Sequence, residues 1–430
     1  MDRPSVAVVG AGVSGLTAAY LLQQRYDVTL YEAEPRLGGH AHTHDVLTPD
    51  ERVIPIDSGF IVHNDSTYPN LLRLFAELGV ETRPTDMSMS VRCEGCGLEY
   101  AGARGIGGVF ARAGNVADPR FLGMLVEVKK FHRAARRLLA GPDPADGHTV
   151  TLGEFLRDGR YSRYFTGHFM VPLVSCVWSC PPGAALGYPA RSLFTFLEHH
   201  GALSVKGSPQ WRTVVGGSRS YVERAAKELS ATELSTPVRA VQRSGSGAGG
   251  PGGRVLVRDD ADDVRGFDAA VIATHADQAL ALLADPTTEE AATLGAFGVS
   301  TNETILHTDA SVLPRAPRAR ASWNYLLEAC NSQAANVRVS YHMNRLHRID
   351  EPVDYVVTLN ADGRVPEDRV LARMTYRHPV ATEESVRAQV DLPALNDGTL
   401  AFAGAWQGWG FHEDGCASGV RAAESLGCGW

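Results

Sequence analysis

Ser5-Val-Ala-Val-Val-Gly-Ala-Gly-Val-Ser-Gly-Leu-Thr-Ala-Ala-Tyr20 is the stretch on which the fold turns. Val6 to Val9 is a short, unbroken apolar run, the pattern of a strand buried on both faces of a parallel sheet. Gly10, Gly12 and Gly15 follow as G-x-G-x-x-G, and a helix of small residues is expected from about Ser14 to Gln24. Gly10 would make the tight turn, Gly12 would admit a pyrophosphate close to the backbone, and Gly15 would let helix and strand pack. The phosphates would sit at the helix N-terminus beside Ser14, where free N–H groups and the helix dipole favour an anion. A second strand, Val28-Thr-Leu-Tyr31, runs into Glu32 and Ala33, near the ~20-residue distance at which an acid binds ribose hydroxyls. Strand, helix, second strand and acid in register predict a dinucleotide site.

The residues that follow choose between dinucleotides. Glu32-Ala-Glu-Pro-Arg-Leu-Gly-Gly39 continues directly from the second strand, and Ile56-Asp-Ser-Gly-Phe60 comes soon after. Glutathione-reductase-type flavoproteins extend the first glycine motif with an arginine and a glycine pair that reach the pyrophosphate and the flavin end. Arg36, Gly38 and Gly39 resemble that extension, which a plain NAD dehydrogenase does not need. The resemblance implies non-covalent FAD.

A chain of 430 residues accommodates two domains with ample cores. Its net charge of −8 argues against a nucleic-acid partner held by bulk charge. No apolar run approaches the ~20 residues that span a bilayer, and Met1-Asp-Arg-Pro leads into a strand without a secretory pattern, so a cytoplasmic location is expected. The seven cysteines are an odd number at spacings that suggest no disulfide framework. Cys93-Glu-Gly-Cys96 lacks a second C-x-x-C, and its alternating flanks predict a hairpin whose turn the cysteines close; a redox pair or half a metal site is the alternative. Cys176 and Cys180, around Trp178, read as packing positions because no histidine stands at metal spacing. No metal centre is expected.

Further along, Pro69 to Gly79 reads as a helix with its start and stop signals. Arg120 to Ala140 reads as a long amphipathic helix, with Phe121, Leu122, Leu125, Val128, Phe131, Leu138 and Leu139 apolar and Lys129, Lys130, Arg133, Arg136 and Arg137 on its other side. A solvated face is the plain reading of that basic cluster; a peripheral membrane contact over Lys129–Arg137 is the other. Helical pieces are expected at Thr151–Arg157, Tyr164–Trp178 and Arg191–His200. Strand signals return at Val238–Arg243, Arg254–Arg258 and Asp268–Ala273, with a glycine-rich hairpin tip from Ser244 to Gly253. Glu303–Thr308, Val337–Met343 and Tyr355–Leu359 look like antiparallel strands of a cavity wall. Thr399–Ala405 is a last strand, and a helix from Cys416 to Leu426 closes the chain.

The fold class is therefore α/β: a glutathione-reductase-type Rossmann FAD domain interleaved with an α+β substrate domain. Residues 1–63, 205–295 and 396–430 are expected to form the first, and 64–204 and 296–395 the second. With Thr67-Tyr-Pro-Asn70, Pro209-Gln-Trp-Arg-Thr213, Gly216-Gly-Ser-Arg219, His275-Ala-Asp-Gln278, Ser322-Trp-Asn-Tyr325 and Gly410-Phe-His-Glu-Asp-Gly415 added, the sequence resembles the flavin amine oxidase and phytoene desaturase superfamily. It is similar in particular to bacterial flavoproteins encoded beside cyclopropane-fatty-acid synthase-like methyltransferases.

That resemblance implies that Gly10, Gly12, Ser14 and Gly15 hold the pyrophosphate and Glu32 the ribose. Arg36, Gly38, Gly39 and His40 would lie along the diphosphate and ring, with Asp57, Gly59 and Phe60 nearby. Val238 would meet adenine through its backbone, and Gly404 would begin the last cofactor motif. His412, Glu413, Asp414 and Gly415 would open a helix whose N–H groups face flavin N1 and O2, where the reduced ring carries negative charge. Two departures from amine oxidases stand out. Phe411 occupies the position of an amine-caging tyrosine, and Thr301-Asn-Glu-Thr-Ile-Leu-His307 carries no flavin-facing lysine.

The leading expectation is an FAD enzyme that moves hydride on an apolar, lipid-like substrate, forming or shifting a C=C bond. A peroxide-producing amine oxidase is the second reading, and an FAD-holding subunit of a lipid methyltransferase the third. His412, Phe411, Tyr341, Trp323 and His40 are the candidate catalytic residues.

Overall fold

The computed structural model describes residues 3–142, 149–204, 208–244, 254–330 and 336–430. Its first layer is a five-stranded parallel sheet. Strand Ser5–Val9 lies at the centre, between Asp27–Tyr31 and Ala269–Ile272, with Ala231–Glu233 and Leu400–Phe402 at the edges. Val6, Ala7 and Val8 are fully buried, as a continuous apolar strand covered on both faces requires. Helix Val13–Leu22 packs on one face with the closing helix His412–Ser425. An antiparallel meander of Val238–Arg243, Val255–Asp259 and Val264–Phe267 covers the other. Residues 245–253 of the expected glycine-rich tip lie outside the described residues.

The second layer is a seven-stranded sheet in the order Val370–Val380, Gly298–His307, Val356–Leu359, Val339–His342, Trp323–Leu327, Met89–Cys93, Glu99–Ala101. All neighbours are antiparallel except Trp323–Leu327 and Met89–Cys93, which run parallel. The expected hairpin around Cys93 and Cys96 is thus present and joins the edge of this sheet. Helices Pro119–Ala140, Leu152–Asp158, Val171–Trp178 and Ala190–His199 pack with it around one large apolar core.

Helix Pro119–Ala140 differs in one respect from its sequence pattern. Phe121, Met124, Phe131 and Ala135 are its buried residues, whereas Leu122 is exposed. Part of its basic face is paired: Arg136 meets Glu198 at 3.1 Å, and Lys130 donates to the Gly159 carbonyl at 2.6 Å. Just before the helix Val171–Trp178 the chain makes one π-helical turn, Thr166–Met170. Pro172 has no N–H to offer the His168 carbonyl four residues back, so the ladder widens there. Among the described residues no helix is long and apolar enough to cross a membrane.

Candidate active site

The glycine loop forms as its sequence requires. Gly10 has φ +102°, and a Cβ there would lie 2.7 Å from the Ala273 carbonyl oxygen. A Cβ on Gly15 would lie 1.9 Å from the Gly10 oxygen, whereas a Cβ on Gly12 would meet nothing within 4 Å. Gly12 is therefore bare toward open space, and the helix it begins has no side-chain cap and no acid in its first turn. Uncapped N–H groups and an open glycine are what a diphosphate needs. The second glycine pair docks here: Gly38 N donates to the Ala11 carbonyl at 2.8 Å, and a Cβ on Gly39 would lie 3.2 Å from Gly12 Cα. Glu32 stands beside the loop, its two carboxylate oxygens accepting from Ala11 N and Glu34 N at 2.9 Å each. Thr236 N donates to the Glu32 carbonyl at 2.9 Å, which brings the half-buried Val238 strand alongside; Ala33 is exposed. Arg36 donates to Gly39 O at 2.8 Å and pairs with Glu34, also at 2.8 Å, so these bonds shape the loop itself.

Two glycines and a serine bring the closing helix onto this loop. A Cβ on Gly415 would lie 2.6 Å from Val13 and 3.1 Å from the Ser14 hydroxyl, and one on Gly419 would lie 2.3 Å from the Ser14 carbonyl oxygen. Gly404 leaves room for the Trp406 indole, whose Nε1 donates to Thr274 O at 2.9 Å, and its own N donates to Ser418 Oγ at 2.9 Å. At the start of this helix His412 stacks on Phe60 at 3.7 Å between ring centroids, and its Nε2 lies 2.7 Å from the Tyr221 hydroxyl. Burial, with His40 and His63 nearby, holds His412 far below the ordinary imidazole range. It is a fixed neutral ring.

The acids of this turn do not aim at a ligand. Glu413 accepts from Asn70 N, Asn70 Nδ2 and Leu71 N at 3.0, 2.7 and 3.0 Å, capping the helix Pro69–Glu77. Asp414 accepts from Phe411 N at 2.9 Å, and burial pushes it up to about 6. With these carboxylates engaged as caps, it is the helix N-terminus itself that is left to meet a ligand.

Asp57 is a clearer correction. Its buried carboxylate accepts from Thr43 Oγ1 at 2.6 Å and Ser218 Oγ at 2.7 Å and faces His347 Nε2 at 3.3 Å. Those bonds hold it below the usual carboxylate range despite burial, so it ties three segments together and does not face a cofactor. Gly59 serves packing, since its Cβ would lie 2.1 Å from the His40 carbonyl oxygen. Tyr341 and Trp323 contact each other edge-on at 5.4 Å in the large core, a different cluster from the one that holds Phe60.

His40 has neighbours that sequence reasoning missed. Its ring lies 4.9 Å from Tyr376, 5.4 Å from His378 and 6.1 Å from His275. Tyr376 and His378 sit on the long strand Val370–Val380, which the sequence pattern does not single out. The His40 Nε2 is buried without a hydrogen-bond partner. Burial and His275 hold His40 down at about 4, and burial with His40 and His275 holds His378 at about 3.

Beside the closing helix a cavity of about 480 Å³ is walled by Phe196, Trp409 and Phe411, with Thr67, His200, Glu413 and Asp414 at its polar side. Phe411 stacks on Phe196 at 4.7 Å, Trp178 adds its edge at 5.9 Å, and the Trp178 Nε1 donates to Trp409 O at 3.0 Å.

Residues 13–426 match the pattern of the flavin-containing amine oxidoreductases. The chain belongs to that family. It is an FAD-dependent oxidoreductase, and the loop, helix termini and orphaned His40 nitrogen just described fit the cofactor. This flavoenzyme is 37% identical over 107 residues to a carotenoid phi-ring synthase of Streptomyces griseus, a match covering 24% of this chain and 20% of the synthase. It is 41% identical over 78 residues to the flavin-containing amine oxidase A of Canis lupus familiaris, covering 18% and 14%. The matched stretches thus span a fifth or less of these curated relatives. Among solved structures, the conjugated-linoleic-acid-producing fatty acid isomerase from P. acnes superposes with TM-score 0.68 at 15% identity over 97% of both chains. A putrescine oxidase superposes with TM-score 0.68 at 15% identity over 99% of both. These likenesses establish the fold.

Gly12→Ala should leave the melting temperature of the cofactor-free protein unchanged while lowering FAD occupancy. Gly15→Ala should lose the fold, because its Cβ meets backbone; calorimetry with flavin absorbance reads both. A second expectation concerns acid. His40 and His378 have folded pKa values below the ordinary ~6.5, so the unfolded chain binds protons that the folded one refuses. Their neutral burial costs no proton-linked stability above about pH 6.5, and stability falls toward pH 4 by up to ~1.4 kcal/mol per unit for each such histidine. Asp414, raised to about 6, acts in the opposite sense. Hence the slope of melting temperature between these limits should be shallower in His378→Asn than in the parent; an identical slope refutes the assignment.

Proposed function

We propose that this flavoenzyme takes hydride from an apolar, fatty-acyl-like substrate, forming or shifting a carbon–carbon double bond. The observation that supports it best is the state of the cavity's two carboxylates. Glu413 and Asp414 are already committed to backbone N–H groups, next to a wall of Phe196, Trp409 and Phe411. Burial raises both carboxylates and each already caps backbone N–H groups, so they offer an entering alkylammonium less than free carboxylates would, whereas a hydrocarbon chain needs only the aromatic surface. The strand Gly298–His307 also lacks the lysine of amine oxidases. The shared fold of the P. acnes fatty acid isomerase and the segment shared with the phi-ring synthase agree with this reading.

Bound FAD supplies the hydride acceptor. The protein must orient the C–H bond, exclude water and hold a proton acceptor. His40 suits the role of acceptor, since it is neutral and its Nε2 is buried and unpartnered. It would take the proton from the carbon adjacent to the one losing hydride; when the double bond is shifted and not formed, both that proton and the hydride must return to the chain, so that no net oxidation remains. His412, joined to Tyr221 and stacked on Phe60, is a positioning residue at the helix N-terminus. Cys416 is buried against Thr17, 3.4 Å from its hydroxyl, and burial pushes the thiol up to about 12. A flavin link through that sulfur is not part of the proposal.

Anaerobic mixing of the holoprotein with unsaturated fatty acyl lipids should bleach the flavin band, or leave it intact while mass spectrometry finds a shifted double bond. Bleaching by a simple amine, with peroxide on admission of air and no lipid reaction, would overturn the reading. With the lipid in hand, His40→Ala should retain FAD and lower kcat by about 10²-fold or more, with KM little changed. A kcat within a factor of a few of the parent would remove His40 from the chemistry.

A further inference from the structure

The turn of the hairpin at the sheet edge gathers four donors from three separate parts of the chain. Cys93, Cys96, Cys330 and His168 place one ligand atom each within 4.8 Å of all the others. Cys93 Sγ lies 3.8 Å from Cys330 Sγ, and Cys96 Sγ lies 3.6 Å from His168 Nε2. A tetrahedral ion with bonds of about 2.3 Å to sulfur and 2.0–2.1 Å to nitrogen sets its ligands about 3.8 Å (S–S) and 3.5–3.6 Å (S–N) apart. From this donor set and spacing we infer that the four residues form a structural zinc site of the Cys₃His type, apart from the flavin.

The surrounding structure is built to hold these donors. Cys93 ends its strand beside Leu327, and Glu94 N donates to the Leu327 carbonyl at 2.8 Å. Gly97 N returns to Cys93 O at 2.9 Å, with Gly97 at φ +74°, which turns the C-x-x-C segment back on itself. Gly95 lets this tip press on the Cys330 segment, since a Cβ there would lie 3.0 Å from Ala329 Cα and Cys330 N. On the helical side, the His168 carbonyl, to which Pro172 cannot donate, accepts the Tyr100 hydroxyl at 2.8 Å. The His168 Nδ1 lies 3.1 Å from the Tyr164 carbonyl, and the Tyr164 ring stacks on it at 4.0 Å. With Nδ1–H donated to that carbonyl, Nε2 carries the lone pair toward the cysteines, the usual outer support of a metal-bound imidazole.

Three thiolates and one imidazole around Zn²⁺ carry one net negative charge, and Arg120 lies close by, its guanidinium 5.4 Å from the Tyr164 ring centroid. All four positions of the tetrahedron are filled by protein, so the ion is a staple and not a reaction centre. It would bind the hairpin, the end of strand Trp323–Leu327 and the π-helical turn into one unit. None of the four residues lines the aromatic cavity.

Elemental analysis of the full-length holoprotein, purified without chelator, should find one zinc per chain. Cobalt(II) substituted during growth should give d–d absorption at longer wavelength than the flavin bands. Cys96→Ser and Cys330→Ser should lose the metal with FAD retained, while His168→Cys, which restores four ligands, should keep it. Should the serine variants not fold, titration of the parent with an organomercurial should release zinc in step with thiol modification. The inference is overturned if the parent contains no zinc or other transition metal above background and cobalt growth gives no such bands. It is equally overturned if Cys330→Ser keeps the full complement.

Discussion

The first and last helices approach backbone to backbone where Gly419 meets Ser14, and the cofactor half of the molecule depends on that approach. A Cβ on Gly419 would lie 2.3 Å from the Ser14 carbonyl oxygen, so a residue larger than glycine would force the helices apart. Thr17 and Cys416 fill the next level of the seam at 3.4 Å. The approach delivers the N-terminus of the closing helix to the same region as the glycine loop. Strand Leu400–Phe402 can then extend the parallel sheet beside Ala269–Ile272. The second sheet and its helices come from segments inserted between these elements, which costs little beyond their own folding, because loop-closure entropy grows only as the logarithm of length.

A second constraint lies where the two sheets meet. His40 comes from the glycine-pair loop, His275 from the start of helix Ala276–Leu282 and His378 from the long strand of the other sheet. The His378 and His275 centroids are 5.4 and 6.1 Å from that of His40. Burial with neighbouring charge lowers all three imidazoles: His275 acts on His40, both act on His378, and the Arg377 guanidinium, paired with Asp277, acts on His275. The charged anchor is set one step back, where Asp57 ties Thr43, Ser218 and His347.

What was legible in the sequence followed the range of the interactions. Gly10, Gly12, Gly15, Glu32, Gly38 and Gly39 are close in the chain, and each answers a local steric or hydrogen-bonding demand, so spacing alone located the loop. In the sequence Glu413 and Asp414 read only as opening a helix whose N–H groups face the flavin, and Asp57 as lying near the ring; that their carboxylates tie neighbouring segments together shows only in their three-dimensional partners. Tyr376 and His378 stayed hidden because their strand is half-exposed and carries a proline near its end. The cysteine cluster was illegible for a different reason. Cys96 and His168 are 72 positions apart and Cys93 and Cys330 are 237 apart, so C-x-x-C looked unaccompanied until the sheet edge and a π-helical turn converged on it.

Substrate chemistry in this fold rests on few residues, since a fatty acid isomerase and a putrescine oxidase share the same backbone arrangement. The orientation of Phe411 bears directly on that choice. An ammonium held by aromatic rings must lie over an open ring face, within about 6 Å of the centroid. One face of Phe411 is covered by Phe196, nearly parallel at 19°, and Trp178 approaches at 71°. A ring stacked on one face has only its other face to offer a cation, and the stacked side contributes hydrocarbon packing. Without a hydroxyl, it also brings no hydrogen-bond acceptor to compensate a desolvated amine. The same stacking fixes Phe411 beside the closing helix as part of the aromatic wall of the cavity, the surface along which the proposed neutral chain would lie.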